Sequence, residues 1–395
     1  MSVSLVIHGT SFLSGNIIQL TVSASEPKTN HKLLLKVTCA ELFGSPFILE
    51  QASEGAPNYE TKFQIQGLFD QPVEYEFDHP AVGLVVDRQK LEFNATLVVG
   101  EVWTDVNGNR QESWMNLTTG NTLRVVKGQL RPYELAKLEE EGQSFQGVYV
   151  DAGKFLTHLP NGSKVLPGQI SKLWFLSPYP GYVNAEWHLN VTQVTNYGVH
   201  EYENELHADI VLDPNSGLLE FSVEPLFLGY IRGVTAQYPI LSYKFWITRK
   251  DNGSTISEVR NFVVDNNYYE AAHLFYYVNP LGGVDLLPIT GEYVEGLKTE
   301  NETMRVPVPL SADTRVPGMK TVSATGQRFW EINTGHKTRA EIIELRDFLE
   351  AKERWMIDPD DSDYLIPVII ESDNYKLYDS MEDLHNIVIK IYEAH

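Results

Sequence analysis

Two apolar runs joined by a turn that few residue types can make constrain this chain most. Leu274, Phe275, Tyr276, Tyr277 and Val278 form the first run, and Val284, Leu286, Leu287 and Ile289 form the second. Between them lie Asn279, Pro280, Gly282 and Gly283. Proline fixes one backbone dihedral and glycine opens the left-handed region, so the loop has the chemistry of a defined turn. The pattern predicts a core hairpin. No nucleophile, metal cluster or phosphate loop lies in it.

The rest of the chain repeats this β character. Seventeen Phe, 20 Tyr and 7 Trp favour strands. A length of 395 residues is too great for one sandwich and predicts several domains. Alternating Ile18, Leu20 and Val22, then Phe63 and Ile65, then Leu91, Phe93, Ala95, Leu97 and Val99 place a β-sandwich over residues 1–128. Asn107-Gly108 supplies a hairpin turn within it. Residues 129–144 read as a linker helix, opened by Pro132 and stopped by Gly142. A second sandwich over 145–270 follows from the alternation of Trp187, Leu189 and Val191, of Ala208, Ile210 and Leu212, and of Tyr243, Phe245 and Ile247, with a turn at Asp251-Asn252-Gly253. Residues 271–324 read as the hairpin and a connecting segment, with Pro307, Pro309 and Pro317 in a linker. A small α+β domain occupies 325–395. There Thr338 and Glu341 form a capping box before a helix with Ile342, Leu345, Phe348 and Leu349 on its apolar face. Strands are expected at Trp355–Ile357, Leu365–Ile370 and Ile387–Ile391, and a helical turn at Ser380–Leu384.

Charge excludes some partners. The formal balance is 31 − 53 = −22. Proteins that hold nucleic acid neutralise phosphates with Lys and Arg, so nucleic acid is not an expected partner, nor is an anionic membrane surface. No run approaches the roughly 18 apolar residues of a membrane span. Met1–His8 has no basic segment or long apolar stretch, so no secretion leader is expected. The sequons at Asn94, Asn116, Asn161, Asn190, Asn252 and Asn301 then read as turn and strand-end chemistry. Cys39 is the single cysteine, within the strand pattern Lys32–Cys39, and reads as a buried structural thiol.

Four places in the chain offer candidate chemistry. His200 and His207 flank three glutamates, but they are seven apart on a strand pattern, where such residues face opposite sides. Zinc proteases need histidines four apart on a helix. Asp105, Asn107, Asn109 and Glu112 offer alternate oxygens, yet glycine stands fourth rather than sixth, so a hairpin turn fits better than a calcium loop. Asp358, Asp360, Asp361 and Asp363 form an acidic loop with calcium as an open alternative. Trp103, Trp114, Trp174, Trp187, Trp246, Trp330 and Trp355 could stack sugars, but tryptophan in β-proteins is more often core. No nucleophile elbow or P-loop is present. The reading therefore assigns no catalytic, cofactor or metal residue, and expects no enzyme.

Several segments, in order, resemble structural proteins of bacteriophage tails and their prophage relatives. They are Leu123–Gly128 closing the first β-domain, Ser257–Asp265, the Asn279-x-x-Gly282-Gly283-x-Asp285 turn within Asn279–Gly291, and the α+β piece from about Gly335. Lys127 and Gln129 stand where the resemblance leads one to expect small residues. It implies two immunoglobulin- or fibronectin-like sandwiches followed by a small α+β domain, and a virion protein of the tail, tail tip or baseplate. It implies assembly in the host cytoplasm, other tail proteins as partners, and a homo-oligomer or one subunit of a symmetric assembly. It brings no catalytic residues. The alternatives are a glycan-binding surface protein built of sandwich modules, for which a host-surface glycan would be the ligand, and a β-rich hydrolase.

Overall fold

The computed structural model describes residues 3–7, 9–55, 59–70, 85–87, 91–115, 122–178, 183–212, 218–223, 237–269, 272–305, 319–335, 337–359, 361, 364–371, 375 and 386–394. The protein is mainly β, with a β-sandwich layout. It divides into two compact units, one of Met1–Asn266 with Asn279–Asp285, the other of Asn267–Val278 with Leu286–His395.

In the first unit the chain begins with β1 (Val3–Ile7), β2 (Ser11–Leu13), β3 (Gln19–Ala24), β4 (Lys32–Cys39), β5 (Phe47–Ala52), β6 (Glu60–Gln64), β7 (Val85–Asp87), β8 (Glu92–Thr104), β9 (Arg110–Met115) and β10 (Thr122–Val126). One sheet runs β1-β3-β6, and the other runs β2-β10-β8-β4-β5, with β9 also paired to β8. Period-two burial makes the core between them: Leu20 and Val22 of β3 meet Leu33, Leu35 and Val37 of β4 and Phe93, Leu97 and Val99 of β8.

Helix α1 (Pro132–Glu140) follows, shorter than the 129–144 expected from sequence. Arg131 N donates to Glu134 Oε2 at 2.8 Å, Pro132 sits where a missing N–H costs nothing, and Gly142 adopts φ +67° just past the end. A stretch of π-helix, Gln146–Asp151, comes next.

The second core lies among β11 (Ser163–Val165), β12 (Ser171–Leu176), β13 (Val183–Thr195), β14 (Gly198–Leu212), β15 (Leu218–Val223), β16 (Ile240–Arg249) and β17 (Arg260–Val264). One sheet is β11-β17-β16-β13-β14. Trp187, Phe245, Phe221, Phe175 and Phe155 fill the centre. The other sheet is β12-β15-β7. The break the sequence places at 128 is thus crossed: Val85–Asp87 pairs antiparallel with Leu219–Phe221. Every residue of β12 and β15 is buried, so these two strands are covered on both faces and the alternation that marks a half-exposed strand is absent from them.

The second unit holds a seven-stranded sheet in the order β19-β18-β22-β23-β24-β21-β20. Its strands are β18 (His273–Val278), β19 (Val284–Ile289, whose first two residues belong to the first unit), β20 (Tyr293–Arg305), β21 (Met319–Asn333), β22 (Arg354–Ile357), β23 (Leu365–Ile370) and β24 (Val388–Glu393). The segment 271–324, expected as a hairpin and connector, therefore contributes strands to the same sheet as the C-terminal residues. Helix α2 (Arg339–Glu350) packs Ile342, Leu345 and Phe348 against Phe275, Tyr277, Trp330 and Ile332. Thr338 N donates to Glu341 Oε2 at 2.7 Å, the capping contact read from the sequence. At the other end Arg354 donates to the carbonyls of Phe348 and Leu349, both at 2.6 Å, satisfying acceptors that the helix leaves open. Burial holds this guanidinium down at about 10. The expected prolines at 307, 309 and 317 and the turn at Ser380–Leu384 lie outside the described residues.

Candidate functional site

The Asn279–Asp285 turn is built from each residue of its motif. Asn279 is buried and fully engaged: its Oδ1 accepts from Leu281 N at 2.9 Å and Gly283 N at 3.1 Å. Its Nδ2 donates to Asp285 Oδ2 and to the Leu156 carbonyl, both at 2.8 Å. Gln129 N donates to the Pro280 carbonyl at 2.7 Å. Gly282 has φ +83°, and a Cβ there would stand 1.5 Å from the Lys127 carbonyl oxygen. At Gly283 a Cβ would stand 2.4 Å from the Leu156 carbonyl oxygen and 3.2 Å from Trp174. Within the first unit the turn therefore joins the end of the first sandwich, at Lys127–Gln129, to Leu156 and Trp174 of the second. Its work is positional.

Buried ion pairs elsewhere in the first unit have the same character. Lys172 bonds Glu220 across β12 and β15, with side chains 3% and 2% exposed. Arg124 reaches Glu92 at 2.6 Å and the Ser177 carbonyl at 2.6 Å. Glu101 takes Lys28 at 2.5 Å and His31 at 3.0 Å, while Lys28 lies 3.5 Å over the Trp103 ring. Such pairs fix geometry at the cost of desolvation.

The residues singled out from sequence do not converge. His200 and His207 both lie on β14; His200 tilts against Tyr202 with ring centroids 6.3 Å apart, and the side chain of His207 lies outside the described residues. Asp105 closes the β8–β9 hairpin, its Oδ1 accepting from Asn107 N at 2.9 Å and Asn109 N at 2.8 Å. The Asn109 backbone bond heads the causes that hold this carboxyl below its ordinary range. Glu112 instead accepts from the Trp114 indole at 2.5 Å. In the acidic loop Tyr364 N donates to the Asp361 carbonyl and Asp358 N to that of Tyr364, both at 2.9 Å, while Asp360 and Asp363 lie outside the described residues. Among the described residues no group of three or more His, Cys, Asp or Glu could hold a metal ion. Trp174, Trp187 and Trp330 are buried and the other four tryptophans half-buried. Cys39 is buried, and burial, aided by its bond to Glu41 at 2.9 Å, pushes the thiol up to about 12.

What sequence reasoning missed is a long two-stranded ribbon. β20 and β21 pair from Tyr293↔Ile332 out to Arg305↔Met319. β24 accompanies β21 only from Phe329 to Asn333, so the pairs from Arg328 outward have no third strand among the described residues. At ~3.4 Å per residue β20 extends about 40 Å. All of its residues are exposed except Gly296, which is half-buried. At its base Tyr293 meets His273 edge-on at 4.5 Å. Desolvation holds this buried imidazole below its ordinary value, against a smaller opposing pull from Glu295. Glu295 also bonds Arg328 at 2.9 Å. With polar residues on both faces, the ribbon lacks the apolar alternation that reveals strands; its β-branched Thr299, Thr303, Thr321, Val322 and Thr325 were the available signal.

No protein-family model and no curated protein matches the chain. Among solved structures, a mutant Salmonella alpha-2-macroglobulin is similar at TM-score 0.20 and 8% identity, over 86% of this chain and 25% of that one. The same Salmonella protein reacted with methylamine gives TM-score 0.19 and 8% identity, over 98% and 23%. The four N-terminal immunoglobulin domains of Dscam1 give TM-score 0.15 and 9% identity, over 83% and 73%. The chain spans about a quarter of the length of the macroglobulin chains. Likeness of this degree carries no statement about activity or partners.

Proposed function

We propose that the chain is a non-catalytic structural subunit of a phage tail, tail tip or baseplate, acting by assembling with other virion proteins. The observation that supports this best is the β20–β21 ribbon. A two-stranded ribbon is marginal alone in water, and among the described residues nothing pairs with the outer edge of this one over the length of β20. An arm of that kind is suited to being completed by another chain through backbone pairing. The tail-protein resemblance supplies the particle, and the joined sandwiches of the first unit would supply a stiff body. Cross-linking mass spectrometry on purified particles tests the reading: links from this chain to other tail proteins are expected. Absence of the chain from particles, with binding to a glycan array instead, would replace it with the glycan-binding alternative.

A further inference from the structure

The charges along the outer edge of the ribbon are ordered. We propose that β20 pairs with β20 of a second copy of this chain, antiparallel, about a two-fold axis perpendicular to the sheet at Glu300. β20 ends the seven-stranded sheet, and no described strand lies beyond it. Register irregularity in its pairing with β21 falls between Glu302 and Thr303, where Val322 is the extra residue on β21, so β20 itself continues unbulged. Its charged side chains are Glu295, Lys298, Glu300, Glu302 and Arg305. Opposite residues in an antiparallel pair share a face, and a two-fold axis perpendicular to the sheet places odd positions opposite odd and even opposite even.

Centring the axis on Glu300 sets Glu295 against Arg305 of the second copy on one face, and Lys298 against Glu302 on the other. Symmetry repeats both pairs, and only Glu300 meets its own kind. Centring on Thr299 leaves only Lys298 against Glu300, with its symmetry copy. Centring on Asn301 sets Glu300 against Glu302, and Lys298 as the axis sets it against itself. Charges on an edge strand usually keep other chains away. Here their order rejects most registers and favours one. The overlap covers residues 295–305 of each copy and leaves the two sheets continuous, with both α2 helices on the same face. The interface is isologous, and it occupies the backbone groups that the ribbon leaves open.

This inference stands apart from the virion reading, because it concerns the purified full-length chain alone. Position 300 is the one that meets itself, with Cβ atoms about 5 Å apart, so Glu300→Cys should form a disulfide-linked dimer under mild oxidation. Thr303→Cys, opposite Leu297 of the second copy, should not. Buried Cys39 does not compete, its thiol being pushed up to about 12. By sedimentation, Lys298→Glu should weaken self-association about tenfold or more, since like charges directly opposite are unfavourable. Adding Glu302→Lys on the same chain reverses the pair and should restore association to within about threefold of the original. Equal cross-linking at 300 and 303, a double variant no better than the single one, or a wild-type chain that stays monomeric at about 100 μM would each overturn the proposal, since edge pairing this weak could not complete the ribbon.

Discussion

Replacing Gly282 with alanine separates the cost of backbone strain from the cost of undocking a turn. Gly282 and Gly108 adopt nearly the same dihedral, φ +83° and +80°. A Cβ on Gly108 meets nothing within 4 Å, whereas on Gly282 it would stand 1.5 Å from the Lys127 oxygen and 2.7 Å from the Lys127 carbonyl carbon. Left-handed backbone costs a non-glycine residue about 1–2 kcal/mol, so Gly108→Ala should lose about that and no more. At 282 neither backbone can stay in place. The bond from Gln129 N to Pro280 O and the one from Asn279 Nδ2 to Leu156 O lengthen or break, at about 0.5–1.5 kcal/mol each, before any loss of packing on Trp174. The total for Gly282→Ala is about 2–5 kcal/mol before packing is counted, about 1–3 more than at 108. Urea unfolding of both variants, followed by tryptophan fluorescence and by circular dichroism, measures the difference. Losses equal within about 0.5 kcal/mol would refute the account of the turn as a docked element.

Other expectations follow from the same contacts. Lys172→Met takes from the buried Glu220 its ion-pair partner and should cost about 3–5 kcal/mol, while Lys172→Met with Glu220→Leu should recover most of it, both read by urea unfolding. His273 has its folded value lowered, so the unfolded chain binds the extra proton; its contribution is intact above about pH 6.5 and is lost as pH falls through that value toward the folded one. His273→Phe should therefore flatten the stability profile below about pH 6.5, and an unchanged slope would count against the buried neutral imidazole. A fragment ending at residue 266 lacks Asn279–Asp285, which belong to its own compact unit. It should melt lower than the full chain and expose Trp174 to quenchers, and addition of a peptide spanning 276–289 should partly reverse both changes.

Much of the architecture was legible where one face of a strand meets a core. Phe93, Ala95, Leu97 and Val99 announced β8, and Leu365–Ile370 matched β23 to the residue. The helix α2 was visible from its capping pair and its apolar stripe. Legibility failed where burial has no period. β12 and β15 are covered on both faces, and β20 is exposed on both, so neither alternates. The pairing of β7 with β15 could not be read either, because three residues carry too little pattern to name a partner so far along the chain. At the turn, Asn279, Gly282, Gly283 and Asp285 were read as a hairpin's punctuation; that they reach Lys127, Leu156 and Trp174 depends on contacts which sequence spacing does not encode.

The loan of β7 to the second sandwich has a consequence in time. Val86 sits opposite Glu220, so a ribosome must add the whole stretch between them before the pair can form. At about 5–20 residues per second that interval is on the order of ten seconds, far longer than the microseconds a hairpin takes to close. While the first sandwich can condense around its own core, Val85–Asp87 waits without its strand, presenting open backbone to whatever else is nearby. The chain is thus most exposed to mispairing in the middle of its own synthesis, and slowing translation between those two points would lengthen that exposure rather than relieve it.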